Sequence, residues 1–234
     1  MKNKVKIIAI VLARFGSTRL KNKMIKIIDK KKVIDLFIER LKQVKKIDEI
    51  VLATSSKKKD QIFIKTSKKH KIEFYQGSEN NVLDRMIKST EKFDDRDIII
   101  RANADNPIFM PSVLDNDIKN FKEKYYDYYS PFYKNRIPFG YSFVLFRKKT
   151  LLKINTMTRS KYHREHVESY CFDKKAFRQM PKNISPKSKL FCPKLKVTLD
   201  TYEDLQKIRK FYKKIKNYKI HIQPYSLIKY FKES

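Results

Sequence analysis

The sequence predicts an α/β fold built on a mostly parallel sheet, and three observations predict it. Residues 5–13 form an apolar run interrupted only by Lys6, as expected of a strand covered on both faces. Three more short apolar segments follow: EIVLAT (49–54), residues 72–75 and DIIIRA (97–102). Stretches at helical spacing separate them, and a βαβαβαβ order calls for parallel strands joined by right-handed crossovers.

The helices between these strands read as follows. Val33, Ile34, Phe37, Ile38, Leu41 and Val44 fall on one apolar stripe. Residues 57–70 and 81–93 are helical in pattern. The second half is less regular. Residues 125–133 are rich in aromatics, 141–146 read as a strand and 151–177 as mostly helical or mixed. Residues 181–193 read as a loop with three prolines in thirteen positions. A strand is expected at 194–199 and a helix at 201–216, with Leu205, Ile208, Tyr212 and Ile215 on one face. Thr201 and Asp204 resemble a capping box. The whole chain, 1–234, reads as one domain, with a subdomain or dimerisation insertion at about 125–193.

The 234 residues are enough to bury a core without staples, and they carry a formal net charge of +31. Such a charge invites a nucleic-acid reading. The excess is mainly Lys spread over nearly every segment, however, with few of the Arg forks that read phosphate and guanine best. Ile, Asn, Tyr and Phe are abundant as well, a bias expected of AT-rich coding. The charge therefore points to attraction of small anions rather than to nucleic acid as the main partner. The two cysteines, Cys171 and Cys192, form no Cys-x-x-Cys pair, so a reduced cytoplasmic setting is expected. The first apolar run is too short to span a membrane.

In an open parallel sheet, ligands bind beyond the carboxyl ends of the strands, where strand order reverses. If the order is 3-2-1-4, the first and fourth strands are neighbours and their exits line one crevice. The first delivers the loop Leu12-Ala13-Arg14-Phe15-Gly16-Ser17-Thr18-Arg19-Leu20-Lys21-Asn22-Lys23; the fourth delivers Asn103, Asp105 and Asn106. A basic loop with a glycine and two hydroxyls suits a triphosphate. An acidic residue across from it suits a hard cation, since Mg²⁺ is usually held by one or two carboxylates plus substrate phosphates. A solvated basic turn beside a helix-capping Asp is the plainer alternative. No Walker or G-x-G-x-x-G motif occurs among the three glycines.

Five segments in order carry a resemblance. IIAIVLARFGSTRLKNK (7–23), GSENNVLDR (77–85), RANADNP (101–107), REHV (164–167) and VTLDTYEDL (197–205) resemble the signature segments of sugar cytidylyltransferases. That group contains acylneuraminate and 3-deoxy-manno-octulosonate cytidylyltransferases, and the sequence is most similar to the spore-coat-polysaccharide branch. The resemblance implies a three-layer α/β/α, nucleotide-diphospho-sugar-transferase-like (Rossmann-like) fold with a mixed, mostly parallel sheet. It implies transfer of CMP from CTP to a sugar or sugar acid, with release of pyrophosphate, for surface polysaccharide or glycan synthesis, and a homodimer joined through the aromatic second half.

Roles are implied position by position. Arg14, Arg19, Lys23 and Asp105 would be catalytic. Leu12, Ala13, Arg14, Gly16, Ser17, Arg19, Lys23, Gly77, Ser78 and Asn103 would bind the nucleotide. Asp84, Arg85, Arg164, Glu165 and His166 would bind the substrate, and Asp105 and Asp200 would hold Mg²⁺ or Mn²⁺. The chain departs from the pattern in two places. Lys21-Asn22 replaces a Pro-Gly pair, although Asn22 is able to take a left-handed turn. Ser142 and Val144 stand where the branch carries acids. A catalytically altered homologue that binds a nucleotide or nucleotide-sugar is thus the first alternative, and a basic nucleic-acid-binding protein the second. On paper His163, His166 and Cys171 suggest a metal site, but no fourth ligand is fixed, and a packing or substrate-binding helix is the preferred reading.

Overall fold

The computed structural model describes residues 4–17, 19–131, 137–181, 191–192, 194–214 and 224–233. Thr18, Ile215 and most of the proline-rich loop lie outside them, as do residues 132–136, the first two of which end the aromatic cluster.

The chain begins with β1 (Ile7–Leu12), all six residues buried and apolar. A 3-10 turn (Lys23–Ile25), a hairpin of β2 (Ile27–Ile28) and β3 (Lys31–Lys32), and helix α1 (Val33–Leu41) follow. The hairpin turns through Asp29 and Lys30, both at positive φ (45° and 62°), as a two-residue turn of matching twist requires. Then come β4 (Glu49–Ser55), a 3-10 turn (Lys58–Gln61), α2 (Ile62–His70), β5 (Glu73–Gly77), α3 (Val82–Lys88) and β6 (Ile98–Asn103). Asn81 caps α3, its side chain accepting the Asp84 N–H at 3.0 Å. The second half contributes α4 (Pro111–Glu123), β7 (Tyr128–Tyr129), β8 (Val144–Arg147), α5 (Lys148–Met157), α6 (Lys161–Glu165), α7 (Val167–Lys174), α8 (Tyr202–Lys214) and α9 (Pro224–Glu233).

The six-stranded sheet runs β5-β4-β1-β6-β8-β7. Its first four strands are parallel in the 3-2-1-4 order the sequence suggests, and β8 and β7 add an antiparallel edge. The alternation of β1 makes the three layers. Ile7, Ala9 and Val11 pack with α1, α2 and α4, through Phe37, Phe63 and Phe121. Ile8, Ile10 and Leu12 pack on the other face with α3, α5 and α7, through Leu83, Leu151 and Cys171. A third cluster lies at the end of α1, where Ile28, Leu36 and Tyr141 meet Leu199, Ile208 and Phe211.

Two sequence expectations need correction. Residues 194–199 are not a strand: only an isolated bridge joins Lys196 to Phe139. The run is apolar because Val197 and Leu199 fill the third cluster, not because it extends a sheet. The strand expected at 141–146 starts at Val144, since Gly140 holds φ +88° and the chain turns there before joining β6. Helix α4 was not anticipated, although Leu114, Ile118 and Phe121 share one buried face. The capping box is present: Thr201 N–H donates to Asp204 Oδ2 at 2.9 Å, and Asp204 N–H to Thr201 Oγ1 at 3.2 Å.

Candidate functional site

The carboxyl ends of β1 and β6 lie side by side, with Leu12 in register with Asn103. A cleft of about 330 Å³ opens there. The loop after β1 forms one wall with Ala13, Arg14, Gly16, Ser17, Arg19 and Lys23, and Asn103 and Asp105 after β6 form the facing wall. Two helix-borne pairs complete it: Val82 and Arg85 of α3, and Glu165 and His166 at the junction of α6 and α7.

The loop is held from outside itself. Asp60, fully buried in the 3-10 turn before α2, accepts the Phe15 N–H at 2.6 Å and the Ser55 hydroxyl. At the other end of the loop Asn22 takes φ 57°, ψ 32°, and its carbonyl accepts the Ile25 N–H at 3.0 Å. That left-handed residue stands where the resemblance has glycine, and Asn tolerates the conformation better than most side chains. A Cβ on Gly16 would meet the mobile end of Lys59 at 3.1 Å, so this glycine leaves room for approach rather than relieving strain.

Two carboxylates converge on one ammonium. Lys23 Nζ lies 2.6 Å from Asp105 Oδ2 and 3.2 Å from Asp200 Oδ1, and donates to the Leu199 carbonyl at 3.2 Å. The backbone joins the same two positions, since Leu199 N–H donates to the Asp105 carbonyl at 2.8 Å. Gly140 buttresses them: a Cβ there would lie 2.6 Å from Thr198 Cγ2. Asp200 also pairs with Arg19 at 3.0 Å and with Lys196 at 2.7 Å. Burial alone would raise the Asp200 carboxyl, but the hydrogen bonds and charges of Lys196 and Lys23 outweigh it and hold the group below the usual carboxylate range. A pair of carboxylates around one cationic centre, open to a cleft lined by cations, is a donor set that fits Mg²⁺ or Mn²⁺ sharing its coordination with phosphate. Among the described residues no group of three metal-ligating side chains stands together, so such an ion would depend on the ligand for its remaining partners.

The far side of the cleft is built from matched charges. Arg14 pairs with Glu165 at 3.3 Å, both partly exposed. Arg101 of β6 makes two contacts with Glu168 of α7, at 2.7 and 2.8 Å. Arg85 is 3% exposed and donates to the Ser78 carbonyl at 2.6 Å, and burial pulls its guanidinium down to about 10. The His166 ring packs at a tilt against Tyr162, with ring centroids 5.0 Å and planes 48° apart.

Of the residues singled out in the sequence, the structure brings Leu12, Ala13, Arg14, Gly16, Ser17, Arg19, Lys23, Arg85, Asn103, Asp105, Glu165 and His166 to one cleft. Asp200 joins it through Lys23 and Arg19. Four others stand behind it. Gly77 ends β5 and Ser78 anchors Arg85. Asp84 turns to Lys88 one helical turn on, at 3.3 Å. Arg164 points away and binds the end of α5, donating to Asn155 Oδ1 at 3.0 Å and to the Thr158 carbonyl at 3.0 Å. Residues 164 and 165 are about 100° apart on a helix, and these contacts turn Arg164 toward α5 while Glu165 faces the cleft. Sequence reasoning missed Asp60 and Glu168, whose partners are 45 and 67 residues away. Glu79 and Arg101 were quoted in the motifs without a role, and both line the cleft.

The departures at 142 and 144 also find their place. Ser142 is buried and donates to Asp117 Oδ2 at 2.8 Å. Val144 pairs across β6–β8 with Arg101, so the carboxylate that faces this arginine comes from α7 instead of β8. His163 Nδ1 lies 2.9 Å from Ser169 Oγ, and Cys171 is buried in the core, its thiol pushed up to about 12 by burial.

Known proteins resemble this chain in sequence or in fold. The spore coat polysaccharide biosynthesis protein SpsF of Bacillus subtilis (strain 168) is 30% identical over 213 residues, covering 89% of this chain and 87% of that one. A cytidylyltransferase from Leptospira borgpetersenii superposes with a TM-score of 0.86 at 23% identity, covering 98% of this chain and 95% of that one. A CMP:2-keto-3-deoxy-manno-octonic acid synthetase solved with CTP superposes at 0.64 and 15% identity, covering 89% and 99%. At these identities the two structures speak to the fold. The sequence profile for cytidylyltransferases matches residues 8–226, and the chain belongs to the cytidylyltransferase family, the nucleotidyltransferases whose fold it shares.

Proposed function

We propose that the chain transfers CMP from CTP to an oxygen of a sugar or sugar acid, with release of pyrophosphate. The observation that carries this reading is the facing of Lys23 and Asp105 across the β1–β6 crevice, at 2.6 Å. On this reading Lys23 would serve as the cation for phosphate and Asp105 as the carboxylate for a metal ion. Arg14, Gly16, Ser17, Arg19 and Lys23 would take the triphosphate, Ala13 and Asn103 would contribute backbone and amide contacts, and Glu165 and His166 would meet the acceptor. The acceptor oxygen attacks the α-phosphorus, the bond to the bridging oxygen of pyrophosphate breaks, and the hydroxyl proton is lost to water. Catalysis here is alignment plus charge neutralisation. A divalent ion on Asp105 and Asp200 supplies charge neutralisation at the phosphate oxygens when bound. Similarity to a spore-coat-polysaccharide protein supports surface polysaccharide as the destination.

The test is release of pyrophosphate from CTP with a panel of neutral sugars, sugar acids and sugar phosphates. One acceptor class is expected to support turnover, and Asp105→Asn to lower it by about 10²–10³-fold while the protein stays folded. Binding of CTP with no turnover on any acceptor would favour a nucleotide-binding homologue instead. We further read residues 125–193 as the segment that carries subunit contacts, which light scattering on the intact chain would test by giving a dimer mass.

A further inference from the structure

We propose that Lys23 is a lock on the carboxylate pair: it keeps a divalent ion from settling between Asp105 and Asp200 until a nucleoside triphosphate draws the ammonium away. The inference rests on the reading of the cleft as a triphosphate site.

An ammonium has three hydrogens to donate. Those of Lys23 go to Asp105 Oδ2, Asp200 Oδ1 and the Leu199 carbonyl, at 2.6, 3.2 and 3.2 Å. The side chain is 12% exposed, so these contacts are weakly screened. It has no donor left for a phosphate, and must give up at least one of these three contacts to bind one; moving off the carboxylate axis toward a phosphate weakens both ion pairs. Its position also coincides with the place between the two carboxylates that a shared cation needs.

The charges favour the ammonium over a lone metal ion. Asp105, Asp200 and Asp204 supply three negative charges, Asp204 through Lys196 at 3.6 Å, and Lys23, Arg19 and Lys196 supply three positive ones, so the cluster is locally neutral. A divalent ion entering alone would raise that balance to +2 or displace a buried ion pair. Arg19 and Lys196 are 66% and 40% exposed and are able to swing into water. Lys23 is the one of the three that touches both carboxylates and is mostly buried. A triphosphate reverses the sign. Its negative charge offers Lys23 a new partner and offers the divalent ion the oxygens that two carboxylates do not supply. Nucleotide and metal thereby strengthen each other, and by linkage each raises the other's affinity by the same factor.

The experiment is a titration of the intact protein with Mn²⁺, followed by electron paramagnetic resonance of the free ion, without nucleotide. Lys23→Gln is expected to bind Mn²⁺ at least about tenfold more tightly than the wild type, and Lys23→Gln combined with Asp105→Asn to lose that gain. Lys23→Met serves as a second variant should the glutamine protein melt early. Mn²⁺ affinity equal in the wild type and in the Lys23 variants overturns the lock. A CTP thermal-shift control on the wild type then separates the two claims. Stabilisation by CTP with no Mn²⁺ gain sinks the lock alone, whereas no stabilisation by CTP sinks the nucleotide reading with it.

Discussion

The buried carboxylate of Asp60 accepts the backbone N–H of Phe15 at 2.6 Å, and so fixes the start of the cleft loop from an element 45 residues further on. A second contact, from the Ser55 hydroxyl, fixes the carboxylate itself. Neither group reaches the cleft, yet together they fix the start of the loop that carries Gly16 and Ser17. Asp60→Ala leaves a buried donor without its acceptor, which costs about 1–3 kcal/mol. Urea unfolding is expected to show that loss. Binding of CTP is expected to weaken by roughly tenfold, as for a loop misplaced by about 1 Å. Unchanged CTP affinity in a folded Asp60→Ala protein would remove Asp60 from the account.

The glycines divide by mechanism. Gly140 sits at φ +88° with no room for a Cβ beside Thr198, two residues before Asp200. Gly140→Ala is expected to destabilise the protein by more than about 1 kcal/mol and to weaken CTP binding through Asp200. Gly16 has neither a positive φ nor a rigid neighbour. Gly16→Ala is expected to leave the melting temperature within about 2 °C of the wild type while raising the KM for CTP. Thermal melts and steady-state kinetics of the two variants check the contrast.

Acid stability follows from Asp200. Its folded-state pKa is depressed below the usual value, so it contributes stability above the unfolded pKa, about 3.9, and loses it as pH falls through the folded pKa. The wild type is therefore expected to lose stability below about pH 4, and Asp200→Asn to show a shallower fall over the same window. Urea midpoints from pH 6 to pH 3 measure it. Identical slopes would mean that Asp200 does not carry the linkage.

Arg164 and His166 are neighbours in sequence and opposite in placement. Arg164 closes the end of α5 through Asn155 and Thr158, whereas His166 lines the cleft. Arg164→Ala is expected to lower stability by about 1–3 kcal/mol with little change in kinetics. His166→Ala is expected to raise the KM for the acceptor with little change in stability. The reverse pattern would return Arg164 to the substrate side.

Local signals were legible and distant partners were not. The β1 run, the α1 stripe, the Thr201–Asp204 capping box and the left-handed Asn22 each rest on residues close together in sequence, and each is present. The 3-2-1-4 order was a condition of the sequence reading rather than a result of it; the sheet has that order, and it sets Asp105 across from Lys23. Residues 194–199 looked like a strand because buried coil and buried strand share the same apolar composition. What distinguishes them is a pairing edge, and that depends on the rest of the fold. Glu168 was missed for a related reason: a carboxylate on a helix has no local mark of the arginine it will meet across the sheet. Arg164 was grouped with Glu165 and His166 because a motif is linear, whereas a helix turns its residues to different sides.

The central claim is that the cleft between the β1 loop and Asp105 binds CTP. Thermal-shift measurement with CTP, UTP, ATP and GTP, each with Mg²⁺, tests it most directly. Ligand at about 100 times its Kd stabilises a native state by about 2.7 kcal/mol, a rise of roughly 5–10 °C for a chain of this length. That rise is expected with CTP, a smaller one with the other three, and its loss in Asp105→Asn. No shift with CTP, or a larger shift with another triphosphate, would contradict it.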